Sequence, residues 1–268
     1  GMANDLFLFP HTGITMTAVD ITIVVFIMIG FFAQMINGSL GMSYGTLSVT
    51  FLLALGIPPV PASSSVHISK ALTGGVSGIS HWRLGNIDRA LTTGLLISGV
   101  SGGIVGALML TVMPEGILKP LIAVYLLLTG FSILSKSIKG RIITQKHVRV
   151  MPLGAAGGFI DAVGGGGWGP IVTGTLLANG QDPHKSIGSV SFAEAFVATA
   201  VSVTLLFKVT DFALDWQIVA GLIIGGVIAA PLAAKLCGKL PVQRLMIAVG
   251  LLVVALNAGL LYSSLQLL

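Results

Sequence analysis

Apolar segments follow one another along almost the whole chain, with only short polar loops between them. They lie at about 17–36, 45–55, 62–82, 90–113, 117–135, 149–163, 168–179, 186–207, 216–236 and 242–264. A helix needs roughly 20 apolar residues to cross about 30 Å of hydrocarbon, and most of these segments approach or reach that length. Charged residues make up 9% of the 268 positions, whereas soluble domains usually carry about 25%. The pattern predicts an all-α polytopic membrane protein.

Two of the apolar segments, 45–55 and 168–179, are too short to span a bilayer, and each follows a glycine-rich stretch. The first break reads MINGSLGMSYG (35–45) and the second break reads FIDAVGGGGWG (159–169). Each glycine costs about 1 kcal/mol against alanine inside a helix. Non-helical backbone is tolerated in lipid only where it is buried in protein or lines a wet cavity. Interrupted segments at matching positions of two halves are typical of transporter binding sites.

The two breaks belong to an internal repeat. A shift of 124 residues aligns them without a gap and pairs Asn37 with Asp161, Gly41 with Gly165, Tyr44 with Trp168 and Gly45 with Gly169. The same shift pairs Lys70 with Glu194, and from Asp88 onward the shift becomes 127. The sequence therefore divides into an N-terminal extension (1–16), a first repeat (17–135), a basic cytoplasmic linker (136–148) and a second repeat (149–268).

Basic residues in the loops indicate that the two repeats have opposite orientations in the membrane, because lysine and arginine favour the cytoplasmic side. Suppose that each repeat is a Gly-broken helical hairpin followed by three transmembrane helices. The cytoplasmic loops then collect Arg83, Arg89, Lys136, Lys139, Arg141, Lys146, Arg149, Lys185, Lys235, Lys239 and Arg244. If the first segment of each repeat crosses fully instead, the repeats become parallel and the last four of these residues face outside. The predicted fold is therefore a pair of inverted-topology repeats with both termini outside the cytoplasm.

Three charged side chains lie within the predicted spans: Lys70, Asp161 and Glu194. A charge at the centre of a spanning helix costs about 2.5–3.5 kcal/mol on insertion scales, so such residues indicate functional sites. Each short helix also begins directly after a break, and a helix N-terminus attracts anions. The candidate substrate-binding residues are Asn37, Gly38, Ser39, Gly41, Tyr44, Ser64, His67, Lys70, Gly164, Gly165, Gly166, Gly167, Trp168 and Ser191. Asp161 and Glu194 are the candidates for proton coupling.

Both features have a purely structural alternative. The glycines permit tight packing of a kinked helix, and Lys70 and Glu194 form a buried ion pair that only fixes helix register. A Gly-Ser pair at 188–189 resembles the nucleophile of an intramembrane serine protease, but the second half holds only His184, in a loop. We therefore expect no enzymatic activity. The single cysteine and the absence of metal-ligand spacing predict no metal site and no cofactor.

The half-motifs NGSLGMSYG (37–45) and DAVGGGGWGPI (161–171), the stretch 56–75 and the basic linker together resemble the sulfite exporter TauE/SafE family. The resemblance covers about 20–265. It implies an inner-membrane transporter that exports small sulfur-containing anions such as sulfite or sulfoacetate. We expect the anion to bind near the bilayer midplane between the two breaks, with a gated anion channel of the same hourglass architecture as the alternative. The expected partners are the small anionic substrate and the lipid bilayer, and not nucleic acid.

Overall fold

The computed structural model describes residues 18–138, 147–208, 215–237, 239 and 242–265, and every regular element within them is helical. The helices are α1 (Ala18–Leu40), α2 (Tyr44–Ala54), α3 (Pro59–Arg83), α4 (Arg89–Val112), α5 (Glu115–Ile138), α6 (Val150–Gly164), α7 (Gly174–Ala178), α8 (Pro183–Lys208), α9 (Trp216–Leu236) and α10 (Val242–Leu265). A π-helical turn, Gly169–Thr173, precedes α7. The predicted N-terminal extension and most of the basic linker lie outside the described residues. The prediction of an all-α chain is confirmed.

The outer surface of the bundle is apolar. Four helices among the described residues, α1, α4, α8 and α9, contain stretches long and apolar enough to cross a membrane. Large apolar side chains such as Phe32, Ile97 and Leu128 are exposed, whereas soluble monomers rarely expose extended apolar surface. The interior holds many buried serines and threonines together with charged side chains. This distribution is that of a multi-pass membrane protein, whose polar groups face the bundle interior.

Both breaks end their helix in the same way. Gly41 and Gly165 have the same left-handed φ of 71°. Each donates its backbone N–H to the carbonyl four positions earlier, at 2.6 and 2.7 Å respectively. Glycine adopts this conformation at little steric cost and commonly ends helices. Gly56 and Gly180, which the same 124-residue shift also pairs, both have positive φ. The repeat that the sequence shows is therefore present in the backbone.

Equivalent helices of the two repeats pack against each other, α3 on α8 and α5 on α10, while α1 packs on α9 and α4 on α6. Gly74 of α3 lies against Ala195 of α8, and Gly78 lies against Phe192, so residue numbers fall along α8 as they rise along α3. The α3 and α8 helices therefore run antiparallel. The two breaks also contact each other, Gly45 lying against Gly165 and Gly166 against Thr46.

Candidate functional site

The three charged residues of the spans form one buried cluster. The Nζ atom of Lys70 lies 2.8 and 2.7 Å from the two carboxylate oxygens of Asp161. It also lies 3.1 Å from Oε1 of Glu194. Lys70 is 2% exposed and Asp161 is fully buried. The Lys70–Glu194 contact that the sequence suggests is present, and Asp161 is the closer partner of the ammonium.

Asp161 also caps the helical segment that follows the second break. The backbone N–H of Trp168 donates to Oδ1 of Asp161 at 3.0 Å. A carboxylate is favourable there, because the N-terminus of a helix carries a partial positive charge and free N–H groups. The anion that the sequence places at this helix N-terminus is therefore one of the protein's own side chains in this conformation.

His67 completes the surroundings of Asp161. Its Nδ1 atom lies 2.8 Å from the backbone carbonyl oxygen of Ser63. Nδ1 also lies 3.3 Å from the hydroxyl of Ser63. The Nε2 atom lies 3.3 Å from Oδ2 of Asp161. His67 therefore links the backbone of α3 to the Asp161 carboxylate.

A matching contact lies on the other side of the cluster. Asn37, the counterpart of Asp161 in the first break, donates from Nδ2 to Oε2 of Glu194 at 3.1 Å. Glu194 is itself the counterpart of Lys70, so the Lys70–Asp161 and Glu194–Asn37 contacts are equivalent under the 124-residue shift. The first joins opposite charges, and the second joins a carboxylate to a neutral amide. The two contacts occupy equivalent sequence positions and differ in charge.

The glycines of the two breaks pack backbone against backbone. A Cβ atom on Gly45 would meet the carbonyl oxygen of Gly165, and one on Gly166 would meet the backbone nitrogen of Thr46. The Thr46 hydroxyl donates to the carbonyl of Gly166 at 2.6 Å. Only glycine permits this approach. The packing role of these glycines is thus realised in this structure, and their contact with a substrate stays a prediction.

Several of the predicted site residues make contacts elsewhere. The hydroxyl of Ser39 donates to carbonyls of its own helix, at 2.6 and 3.2 Å. The hydroxyl of Tyr44 donates to a carbonyl of α9 at 3.3 Å. The indole N–H of Trp168 donates to a carbonyl of α8 at 3.1 Å. Gly38 packs against α9. Tyr44 and Trp168 thus anchor the breaks to α9 and α8, and none of these four residues joins the ion pairs of the charged cluster.

The remaining predicted residues lie near the cluster without joining its ion pairs. Ser64 and Ser191 are buried, and neither hydroxyl has a hydrogen-bond partner within the described part of the chain. Gly164 and Gly167 face Tyr125 of α5. The sequence pattern does not single out Tyr125, because its counterpart in the second repeat is a leucine. The sequence signal that could have identified Tyr125 is the presence of a tyrosine inside an apolar span.

Comparison with known proteins agrees with this architecture. The model of the family described as Sulfite exporter TauE/SafE matches residues 26–260. The probable membrane transporter protein YtnM of Bacillus subtilis (strain 168) is 39% identical over 244 residues, which is 88% of this chain and 81% of that protein. No solved structure matches the chain significantly. The matched region includes both breaks and all three charged residues of the cluster, and the chain belongs to the TauE/SafE sulfite exporter family.

Proposed function

We propose that the protein is a secondary transporter that exports small sulfur-containing anions, such as sulfite or sulfoacetate, across the cell inner (plasma) membrane. The family is that of sulfite exporters, and the relative from Bacillus subtilis carries the name of a probable membrane transporter. Both support transport without a chemical step. We accordingly infer no enzymatic activity and no bound cofactor.

The observation that carries the site is the buried Lys70 ammonium where the two breaks cross. Its hydrogen bonds go to the carboxylates of Asp161 and Glu194. Sulfite and sulfonate groups present the same kind of acceptor oxygens as a carboxylate, and charge-assisted hydrogen bonds to such oxygens are strong. A substrate anion between the breaks would therefore compete with these carboxylates for the same cation.

Proton coupling follows from the charges of this cluster. One ammonium faces two carboxylates, so without added protons the cluster repels an anion. Protonation of Asp161 or Glu194 removes one negative charge and releases part of the hydrogen-bonding capacity of Lys70. Binding of the anion and uptake of a proton then favour each other, because linkage between two ligands is reciprocal. This reasoning supports Asp161 and Glu194 as the proton carriers.

The antiparallel packing of equivalent helices supports alternating access between two inverted repeats. In transporters with inverted repeats, the binding site lies near the bilayer midplane and the repeats rock around it. The basic loops then face the cytoplasm and both termini face outside. The direct contact between the two breaks makes the present conformation an occluded one in this scheme.

A panel of anions tests the substrate class. The detergent-purified protein is heated with sulfite, sulfoacetate, thiosulfate, taurine or a plain carboxylate such as acetate. A ligand that binds only the folded state stabilises it, by about 2.7 kcal/mol at 100 times Kd. We expect sulfite or sulfoacetate to raise Tm at concentrations at which acetate does not. Equal effects of all the anions, or no effect of any, contradict the proposed substrate class.

A further inference from the structure

We propose that the anionic group of the substrate binds at the first break, at the N-terminus of α2. This position corresponds to that of the Asp161 carboxylate at the second break. The inference rests on the proposed anion transport and specifies which of the two equivalent breaks takes the anion. It adds Ser43 and Thr173 to the binding residues.

The second break already holds its own anion. The Asp161 carboxylate accepts hydrogen bonds from the backbone N–H of Trp168 at 3.0 Å and from the ammonium of Lys70 at 2.7–2.8 Å. These are the donors that an oxyanion needs at a helix N-terminus. A substrate anion there must first displace a side chain that is fully buried and covalently attached.

The first break has an amide where the second has this carboxylate. Asn37 is the counterpart of Asp161, and its Nδ2 donates to Glu194. The helix that follows, α2, is 11 residues long, and its N-cap residue Ser43 makes no side-chain capping hydrogen bond. The helix dipole favours a negative charge at this end. Residue 37 therefore does not supply at the first break the carboxylate that Asp161 supplies at the second break.

Three buried hydroxyl groups lie on the segments that meet at the first break. Ser43 is 3% exposed, Thr173 0% and Ser191 1%, and none of their hydroxyls has a hydrogen-bond partner among the described residues. Buried polar groups are rarely left unpaired, because each costs about 1–3 kcal/mol. Their counterparts at the second break are Gly167, Val49 and His67. The first break thus has free donors where the second has two apolar positions and a histidine already bound to Asp161.

A contact with Gly41 places Thr173 at the first break, and helix spacing places Ser191 on the face of α8 that meets it. The Thr173 Oγ1 atom lies 3.1 Å from the position that a Cβ atom on Gly41 would take, and Ile187 packs against the same glycine. Glu194 contacts the first break through its carboxylate. Ser191 lies between Ile187 and Glu194 at spacings of four and three residues, which place all three on one face of α8. Ser191 therefore points at the same turn.

The backbone of Ser43 adds a further argument. Its φ of 93° lies in the left-handed region, which residues other than glycine rarely adopt. Its counterpart in the second break, Gly167, does not have a positive φ, so the left-handed turn is a feature of the first break. Unfavourable backbone conformations persist mostly where function requires them. A serine at this position indicates that its hydroxyl is needed.

These donors fit a compact oxyanion. Three hydroxyl groups can donate to the three oxygens of sulfite or of a sulfonate group. A Cβ atom on Gly41 would already meet Thr173 and Ile187, so the anion binds here only when the two breaks move apart. Protonation of Glu194 removes the nearest negative charge and strengthens binding. The three donors match the three oxygens of a sulfite or sulfonate group, whatever substituent the substrate carries.

A charge-conserving exchange tests the position. In Asn37→Asp with Glu194→Gln, a carboxylate moves to the place equivalent to Asp161, the new glutamine amide can still donate to it, and the total charge is unchanged. The reference is the wild type, which carries the same total charge, measured in parallel for sulfite and sulfoacetate binding by titration. We expect at least tenfold weaker binding of both anions in the double variant, because the introduced carboxylate occupies the site as Asp161 does at the second break.

Two single substitutions introduce the residues found at the equivalent positions around the second break. They test the proposed anion position if the double variant does not fold. Thr173→Val and Ser43→Gly should each weaken sulfite binding about tenfold. Ser43→Gly should also raise Tm, because it relieves the left-handed serine; a purely structural role of Ser43 predicts no loss of binding. Ser48→Ala and Ser65→Ala remove buried unpaired hydroxyls away from the break and serve as controls with unchanged binding.

The outcomes separate the two proposals. Wild-type protein that binds neither sulfite nor sulfoacetate overturns the proposed function and this inference with it. If the wild type binds these anions, the inference alone is overturned when the double variant binds them as tightly as the wild type does. It is also overturned when Thr173→Val and Ser43→Gly bind them as tightly as the serine controls do.

Discussion

Replacing Lys70 with methionine tests how strongly the charged cluster holds the fold together. Methionine has a similar length but no charge, so the variant leaves the carboxylates of Asp161 and Glu194 buried without their cation. Breaking a buried ion pair by removing one partner costs about 3–5 kcal/mol. In a chain of this size each kcal/mol shifts Tm by about 2–4 °C. We therefore expect Lys70→Met to lower Tm by on the order of 10 °C.

A second substitution should recover stability, and the distances indicate which one. Glu194→Gln removes the more distant carboxylate and leaves Asp161 buried beside a methionine. Asp161→Asn removes the closer carboxylate, and the oxygen of asparagine can still accept the N–H of Trp168. We expect Lys70→Met with Asp161→Asn to regain more than half of the lost stability, and Lys70→Met with Glu194→Gln to regain less.

Thermal unfolding of the wild type, the three single variants and the two double variants gives the coupling energy of each pair. The account predicts a larger coupling for Lys70 with Asp161 than for Lys70 with Glu194. A Lys70→Met variant with the same Tm as the wild type refutes the reasoning. So does a better rescue by Glu194→Gln than by Asp161→Asn.

Four further predictions follow from the same structure. Cysteines introduced at Ser137 and Thr210 into a Cys237→Ser background should be labelled from opposite sides of the membrane; labelling of both from one side contradicts the inverted repeats. Cys237 should react slowly with maleimide at neutral pH, because burial and a nearby carboxylate raise the pKa of its thiol to about 11. The thiolate is the reactive form, so the rate should rise with pH, and a rate equal to that of a free thiol contradicts the burial. Gly166→Val should lower the yield of folded protein, because its side chain meets the backbone of the first break; a normal yield means that the two breaks do not touch. Glu194→Gln should abolish pH-driven accumulation in liposomes but keep exchange of substrate, and loss of both means that Glu194 is not only a proton carrier.

Most of the fold can be predicted from the sequence, because hydrophobic length and internal repetition determine it. The apolar segments coincide with the helices to within a few residues, and the pairing of Gly41 with Gly165 corresponds to identical backbone turns. The π-helical turn Gly169–Thr173 is not predictable in the same way. It depends on local packing around the second break, and no residue pattern specifies it.

The site is harder to predict than the fold, because contacts between the repeats depend on their relative position. The sequence identifies Lys70, Asp161 and Glu194 as unusual residues, but the alignment pairs Lys70 with Glu194 and gives no reason to expect Asp161 as its closest partner. It also presents the glycines of the second break as open backbone, whereas Gly166 packs against the first break. The unpaired hydroxyl of Thr173 becomes visible only when both breaks are seen together.

Counterflow of sulfite in proteoliposomes tests the central claim most directly. Vesicles with purified protein are loaded with unlabelled sulfite, diluted into a trace of labelled sulfite, and compared with vesicles loaded with acetate. The account predicts transient accumulation of label driven by internal sulfite, and its loss in Lys70→Met vesicles that contain the same amount of folded protein. Label that equilibrates equally fast in both kinds of vesicle indicates a channel. No protein-dependent entry of sulfite contradicts the account.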